Sequence, residues 1–548
     1  MRCTTILLLI CGFLTLPAAP AQEIAETFFG EGDDDQFGRA LSSAGDVDSD
    51  GFPDLLVGAP FQDTVGLWSG SVRVVSGRDG TLLFHLGGEN ELDYFGCSVA
   101  RAGDLDGDGQ GEILIGAHGS DRNGKDSGSV YAFSGMTGTR LFLLHGEAPS
   151  SRFGRALAGA GDLDGDGVPD FVVGSHEHDG AGEDSGRVYV YSGGTGSLRF
   201  SWSGATAFDS FGWSLGGSLD ADGDGVPDVV VGSFRDDALA TNGGGVFLYS
   251  GNNGALLREF HGAADFDHLG YSVAMAPDMD GDACAEILAG APNADAAGGE
   301  EGRVFVYSGR TGALLYQYQG DSAGDIFGTA VSGCEDLDRD AAGDFIVGAP
   351  YADHSGTNAG TVFVYSGATG SLLYSTSGRM PGDHLGEALA GIGDLNLDGA
   401  AEFAAGAPFN DDFGYDAGVV YLYQASGPWR DLGFAKEGSS GAPSLKGFGS
   451  LEPSSTFSLN LSSAAPGSIA YFIIGAQVLY LPFRDGTFVP SPQLMIGLFT
   501  SPSGTVQLNS QWSKKDFSGL SLYYQCWILD AGASFSMSAS NALQSITP

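Results

Sequence analysis

The chain has 548 residues, too many for one ordinary hydrophobic core, so several domains or a repeat array are expected. With 90 glycines and abundant aromatic and β-branched residues, it suits short strands joined by tight turns and argues against a helical bundle. A net charge of −45 at pH 7 excludes nucleic acid and anionic membrane as partners and favours cations.

In chain order, Arg2 precedes an apolar run over 6–16 and a small-residue site, Ala19-Pro20-Ala21, follows. This pattern predicts a secretory signal peptide over 1–21. A membrane anchor is excluded because the run falls short of the roughly 20 apolar residues that a span needs. The mature protein is therefore expected to be secreted, outside the cell or on its surface, with no transmembrane segment. Cys97, Cys284, Cys334 and Cys526 remain, without the paired spacing of a disulfide framework, and nothing in the spacing selects partners for a bridge.

A Phe-Gly or Leu-Gly pair then begins at Phe37, Phe95, Phe153, Phe211, Leu269, Phe327 and Leu385, each step being 58 residues. Every unit repeats the pair, an Asp-rich loop nine residues on, an apolar run ending in Gly, and a segment such as VYVYSG. In the second unit, strands are predicted over 95–102, 112–116, 129–134 and 140–145, separated by turn residues. Four antiparallel strands repeated radially make a propeller blade, so the predicted fold is an all-β, seven-bladed β-propeller over 22–426. The seventh unit lacks its fourth strand. The segment 24–29 aligns one period before 82–87 and is predicted to supply it, closing the ring and leaving no free sheet edge.

The Asp-rich loops carry the chemical signal. The first offers Asp46, Asp48, Asp50 and Asp54, with a carbonyl at Phe52 and Gly51 at the bend. Calcium takes six to eight oxygens, which side chains at positions 1, 3, 5 and 9 and the carbonyl at position 7 can supply. Without a cation, so many carboxylates in one turn would repel one another. The pattern returns at Asp104, Asp106, Asp108, Gln110 and Glu112; at Asp162, Asp164, Asp166, Val168 and Asp170; and at Asp220, Asp222, Asp224, Val226 and Asp228. Loop five has Asp278, Asp280, Asp282, Cys284 and Glu286, but Ala283 at the bend; loop six has Asp336, Asp338, Asp340, Ala342 and Asp344 around Ala341. Loop seven has Asp394, Asn396, Asp398, Ala400 and Glu402, one charge fewer. Up to seven Ca²⁺ ions are expected, one per blade, with loops five to seven weaker because Ala is costly where the chain turns left-handed. An EF-hand starts similarly, but position 12 of the first loop is Val57 instead of the bidentate Glu, and the flanks read as strands.

The recurring FG, DxDxDGxxD and GAP signals resemble the FG-GAP repeats of integrin alpha-subunit propellers. GAP stands at Gly58-Ala59-Pro60, Gly290-Ala291-Pro292, Gly348-Ala349-Pro350 and Gly406-Ala407-Pro408, and is altered at Gly116-Ala117-His118, Gly174-Ser175-His176 and Gly232-Ser233-Phe234. The resemblance implies calcium loops on a lower face and ligands on an upper one. The constant repeat leaves no room for an inserted adhesion domain. The upper face would hold Phe61, Trp68, Phe234, Arg235, Tyr351, Phe409, Phe413 and Tyr415, set against a bland alternative of packing between blades. Asp35, Asp93, Asp209, Asp267, Asp325 and Asp383 share one repeat position and read as turn caps. His176-Glu177-His178-Asp179 is weighed as a transition-metal site and set aside for want of further ligands at predictable positions.

No GxSxG elbow, HExxH or phosphate loop occurs, so a catalytic role is not expected. The preferred function is an extracellular adhesion or ligand-binding module for protein or glycan, expected to be monomeric; the alternative is a propeller-based polysaccharide lyase or glycosidase, which would need a carboxylate pair free of metal. Residues 430–548 hold six acidic and six basic side chains, so the excess charge belongs to the repeats. A linker is expected over 427–447 and a small β-sandwich over 448–548, the latter from alternating segments such as 456–461 and 520–529.

Overall fold

A computed structural model describes residues 23–295, 299–396, 399–424, 429–433, 436, 443–448, 456–476, 478–483, 486–490, 494–501, 503–511, 521–530 and 537–546. The expected leader at 1–21 lies outside them. The chain divides into two compact units, one over 22–425 and one made mainly of 426–548.

The first unit is a seven-bladed β-propeller. Each blade is a four-stranded antiparallel sheet whose strands follow in chain order from the axis outward, as in Ala40–Gly45, Asp54–Ala59, Ser71–Val75 and Leu82–Gly87. The innermost strands touch their neighbours all the way round, with Ala388–Gly393 of the last blade against Ala40–Gly45 of the first. Closure is as the sequence predicts. Glu23–Phe29 pairs antiparallel with Val419–Gln424 and becomes the outer strand of blade seven.

Burial explains the composition of the strands. Every second strand is buried along its whole length, as in Asp54–Ala59 and Glu112–Ala117, because blades pack on both of its faces. These strands therefore read as continuous apolar runs. Outer strands such as Leu82–Gly87 alternate between exposed and half-buried positions. The cores lie between blades: Val72 and Val74 of blade one pack with Ile113, Ile115 and Tyr131 of blade two.

The recurring glycines are tied together geometrically. The amide of the Phe-Gly glycine donates to the carbonyl of the Gly-Ala glycine in its own blade, from Gly38 to Gly58 (3.0 Å) through Gly386 to Gly406 (3.0 Å). A Cβ on Gly58 would lie 2.1 Å from the Gly96 carbonyl oxygen of the next blade, and one on Gly406 would lie 2.1 Å from that of Gly38 across the closure. The two motifs recur together because each blade seats its first glycine against the second glycine of its neighbour.

Two expected boundaries change. Phe95–Cys97 is not part of the first strand of blade two, which is Ser98–Gly103; Phe95 makes only a parallel bridge to Gly70. Its buried ring is an anchor beneath Tyr131 and Phe133 at the blade's upper end. The expected linker 427–447 contains the strand Trp429–Gly433, paired with Met537–Ile546, and the start of Ser444–Phe448, because its alternating residues find sheet partners despite the surrounding Gly, Ser and Pro.

Among the described residues, the second unit has a five-stranded and a three-stranded sheet, with a separate two-stranded ribbon. Leu445, Leu459 and Leu461 from the smaller sheet pack on Ala470, Phe472, Tyr524, Cys526 and Ile528 from the larger. That is a β-sandwich core. The four described cysteines are unpaired. Among the described residues no helix is long and apolar enough to cross a membrane.

Candidate metal loops and ligand face

The innermost strand of each blade begins directly after the Phe-Gly pair and ends at the Asp-rich loop. The acidic loops therefore all emerge at one end of the propeller, the lower face. The Phe-Gly pairs and the segments after Gly-Ala emerge at the other, the upper face.

In the loops, backbone amides fold the chain around the first aspartate. In loop one the amides of Asp50 and Gly51 donate to the Asp46 carboxylate (3.0 and 2.9 Å), and Phe52 N–H donates to Asp50 (3.0 Å). The amide at the bend makes the same bond in the other loops, including Gly225 to Asp220 (2.8 Å), Ala341 to Asp336 (2.7 Å) and Gly399 to Asp394 (2.9 Å). The bend is left-handed throughout, with φ of 89° at Gly51, 66° at Ala283 and 72° at Ala341. The two alanines hold a conformation that costs an L-residue about 1–2 kcal/mol.

Carboxylates converge as the spacing anticipates. Oxygens of Asp278, Asp280, Asp282 and Glu286 all lie within 4.8 Å of one another, as do those of Asp46, Asp48 and Asp50; Asp104, Asp106 and Asp108; Asp162, Asp164 and Asp170; and Asp220, Asp222 and Asp228. Loop five thus gathers all four carboxylates despite Ala283. Asp166 and Asp224 each accept a bond from the amide two residues on, at Val168 and Val226 (both 2.9 Å). In loop six, Asp338 and Asp340 both precede the bend at Ala341, and Asp340 accepts from Ala342 N–H (2.9 Å). Asp398 lies outside the described residues, while Asn396 donates to Glu402 (2.7 Å).

Position 9 splits the loops in a way that spacing alone does not reveal. Where it is Asp, both oxygens are held by backbone: Asp54 accepts from Val47 and Gly77 (2.8 and 3.1 Å), Asp170 from Leu163 and Gly193 (3.0 and 2.9 Å), Asp344 from Leu337 and Gly367 (2.6 and 2.9 Å). Where it is Glu, in Glu112 and Glu286, one oxygen accepts from Leu105 or Met279 and Oε1 is buried without a partner. Burial, before any neighbouring charge, pushes these carboxyls up: Asp54 and Asp228 to about 6, Glu112 and Asp344 to about 7, and Glu286 to about 8. A buried anionic oxygen facing other carboxylates fits a hard divalent cation. An all-oxygen donor set of this kind suits calcium.

On the upper face the candidate aromatics form three clusters. Phe61 meets Trp68 and Tyr94 edge-on (5.7 and 5.6 Å), and Tyr94 meets His118 (5.0 Å). Phe234 is buried between Trp213 and Tyr271 (4.6 and 5.6 Å), with the exposed Arg235 over its outer face (4.9 Å). Tyr351 and Phe409 flank His384 (4.5 and 4.8 Å). Trp68 is 36% exposed and Tyr351 38%. Phe413 and Tyr415 are mostly exposed, although Phe413 leans on Phe29 of the closing strand (4.3 Å). A cleft of about 270 Å³ opens here, lined by Arg39, Tyr271, Thr329, Tyr351, Glu387 and Phe409 among others.

The repeated aspartates cap turns: Asp35 accepts from Gly32 N–H, Asp93 from Asn90, Asp209 from Thr206 and Asp325 from Ser322. His176 faces Glu177 (3.4 Å) while His178 faces Glu147 (3.6 Å), so the two imidazoles turn to different carboxylates. Sequence reading missed Arg39, Arg155, Trp213, Tyr271 and Glu387. Their signal was available: each directly follows a Phe-Gly or Leu-Gly pair, and in a closed ring that position faces the axis.

Seven closed blades with acidic turns at one end and aromatic clusters at the other define a β-propeller with acidic loops on one face. The model of the FG-GAP repeat matches residues 37–75, 153–191, 269–307 and 327–365, and a second FG-GAP repeat model matches 88–133. Among curated proteins the chain is similar to integrin alpha-V of Gallus gallus, at 34% identity over 221 residues, 37% of this chain and 21% of that one. It is similar to integrin alpha-5 of Xenopus laevis at 33% over 221 residues, 37% and 20% of the two chains, and to integrin alpha-7 of Homo sapiens at 38% over 164 residues, 28% and 13%. The chain spans about a fifth of the length of the first two relatives and less of the third. It is an integrin-alpha-like FG-GAP repeat protein.

Proposed function

We propose that this is a secreted, calcium-stabilised propeller that binds an extracellular protein or glycan through its upper face and carries out no catalysis. The observation that carries the reading is the separation of chemistries: acidic turns at the lower end of the blades, and partly exposed aromatics with a cleft at the upper end. Calcium would be held by the carboxylates at positions 1, 3, 5 and 9 of each loop and the carbonyl at position 7, up to seven ions in all. Neutralising the repulsion in those turns would fix the hairpins that carry the upper face.

Two measurements test it. Calcium titration of protein stripped by chelator, followed by melting, should show several ions bound and a large rise in Tm; each loop at a hundredfold excess over its Kd contributes about 2.7 kcal/mol. An unchanged melt and unchanged near-UV dichroism between metal-loaded and stripped protein overturn the calcium reading. A glycan and matrix-protein array should show binding that falls in Trp68→Ala and Tyr351→Ala, while equal binding in both variants removes those residues from the site. Release of reducing or unsaturated ends from a polysaccharide panel would overturn the non-catalytic reading.

A further inference from the structure

The upper-face cleft of about 270 Å³ draws its lining from blades five, six, seven and one. Three aromatic side chains belong to it: Tyr271 of blade five, Tyr351 of blade six and Phe409 of blade seven. Each ring is held by an aromatic neighbour that is not itself part of the lining. Tyr271 meets Trp213 and Phe234 (both 5.6 Å), while Tyr351 and Phe409 share His384 (4.5 and 4.8 Å). The apolar walls are therefore in place before any ligand arrives, which lowers the cost of binding.

The polar part of the lining offers both donors and acceptors. Asn293 Oδ1 is engaged by His268 Nδ1 (2.9 Å); an amide oxygen only accepts, so the imidazole donates and Asn293 offers the cleft its amide N–H groups. Thr329 spends its hydroxyl proton on the Ile326 carbonyl (2.8 Å), so its oxygen can only accept further. Arg39 Nη1 and Glu387 Oε1 neutralise each other (2.8 Å) and leave the lining without net charge. Glu387 Oε2 remains an acceptor, and the guanidinium has further N–H donors. Burial, with Glu387 adding to it, raises the Tyr271 phenol, which stays a hydroxyl at neutral pH.

That set selects a class of ligand. An anionic group only accepts and would face Glu387, whereas an ammonium only donates and would leave the Asn293 and Arg39 donors unanswered; a hydroxyl does both. The field of a chain with net charge −45 also opposes anions. The aromatic walls ask for an apolar face on the same molecule. A pyranose combines the two, with C–H groups across one face and hydroxyls around its edge. A cleft smaller than the usual pocket for drug-sized ligands suits one such ring. We propose that this cleft binds one neutral hexopyranose residue of a glycan, stacked on Tyr351 and Phe409 and hydrogen-bonded by Asn293, Thr329, Arg39 and Glu387. The inference deepens the upper-face reading by choosing glycan over protein, and rests on it.

The test is ligand-observed NMR titration of the calcium-loaded full chain with the methyl pyranosides of D-glucose, D-galactose and D-mannose, and with the 6-carboxylate and 6-ammonium analogues of each. At least one neutral pyranoside should bind, and more tightly than its charged analogues. Asn293→Asp keeps the acceptor for His268 and removes the donors, so the affinity should fall roughly tenfold or more. Tyr351→Ala removes a stacking face and should cost a similar factor. Arg140→Gln on an outer strand should leave the affinity unchanged. Melts in calcium establish that each variant is folded. Binding by none of the three pyranosides, a charged analogue as tight as its parent, or full affinity in folded Asn293→Asp or Tyr351→Ala overturns the proposal. Array hits confined to proteins, or glycan hits that survive Asn293→Asp, refute this cleft and leave the wider upper-face reading standing. An array without hits overturns the wider reading, while pyranoside binding that depends on Asn293 still establishes the cleft.

Discussion

At the lower end of the innermost strands the same acidic turn is written seven times, whereas at the upper end the residue after the Phe-Gly pair changes from blade to blade, from Arg39 through Trp213 to Glu387. The lower turn must form in every blade, because it sets the angle at which the second strand enters and each second strand is buried. The upper position makes no such demand. The glycine beside it performs the packing, through the bond to the Gly-Ala carbonyl and the close seat on the neighbouring blade. Repetition therefore marks what the ring needs to close, and variation marks where its surface is free to differ.

The largest effect should come from removing the device on which both faces depend. Deleting 23–29 strips the outer strand from blade seven and exposes the edge of Val419–Gln424, whose residues Val419 to Tyr423 are buried. An open, apolar edge invites pairing with another chain. Loss of the cooperative melt and aggregation on a sizing column are expected. A folded monomer would show that the two faces do not need the closed ring.

Next in size is a contrast between two lower loops. Asp228→Asn should destabilise the protein with or without calcium, because Asp228 accepts from Ala221, Asp222 and Gly251 amides (2.9, 3.1 and 3.1 Å) and an amide group cannot accept on both sides. The cost is about 1–3 kcal/mol. Glu286→Gln keeps the acceptor for Met279 N–H and removes one charge from a cluster of four. It should lower Tm in calcium and leave it equal or higher in chelator. The same sign for Glu286→Gln under both conditions would break the distinction between an Asp that clamps backbone and a Glu that waits for a cation.

The upper face should reveal itself through pH. Burial lowers the His118 and His176 imidazoles, with Arg155 and Arg152 pressing the same way on both and Glu177 opposing on His176; Tyr94 and Trp213 cover the rings. Their folded values lie below the ordinary 6.5. The unfolded chain thus binds protons that the folded one refuses, so this stabilisation is complete above pH 6.5 and is lost as pH falls below it. His118→Gln together with His176→Gln should flatten the Tm profile between neutral and mildly acidic pH in calcium. An unflattened profile assigns the acid sensitivity elsewhere.

How much of this was legible depended on whether a feature repeats. The 58-residue step exposed the blades, the closing strand and the acidic loops, since each is a local pattern that recurs seven times or completes a count. Trp213, Tyr271 and Arg155 were overlooked because single residues at a varied position acquire meaning only when the ring brings them to one axis. Phe95 was read into a strand because its apolar character does not tell a strand residue from an anchor. Loop five was expected to be weak from Ala283 alone. Backbone bonds absent from the sequence support it and its neighbours: Ala285 donates to the Asp220 carbonyl of the preceding loop (2.8 Å), Gly343 to Asp278 (3.2 Å) and Ala401 to Asp336 (2.8 Å). In loops one, three and four the equivalent residue is Pro53, Pro169 or Pro227, which has no N–H to give.

That exchange leads to the smallest expected effect. Ala283→Gly relieves a left-handed alanine worth about 1–2 kcal/mol, and the freer unfolded chain takes back about 0.4–1 kcal/mol. The bend amide would still donate to Asp278 Oδ2 (2.9 Å), and a glycine already fills that position in loops one to four. A gain of up to about 1.6 kcal/mol is expected in chelator. In calcium a further small gain follows if the strained bend also opposes ion binding, and the calcium affinity of this loop should rise with it. A gain in chelator without a change in affinity would mean that the bend limits the stability of the hairpin and not the hold on the ion. Loop five would then owe its binding to its four converging carboxylates alone.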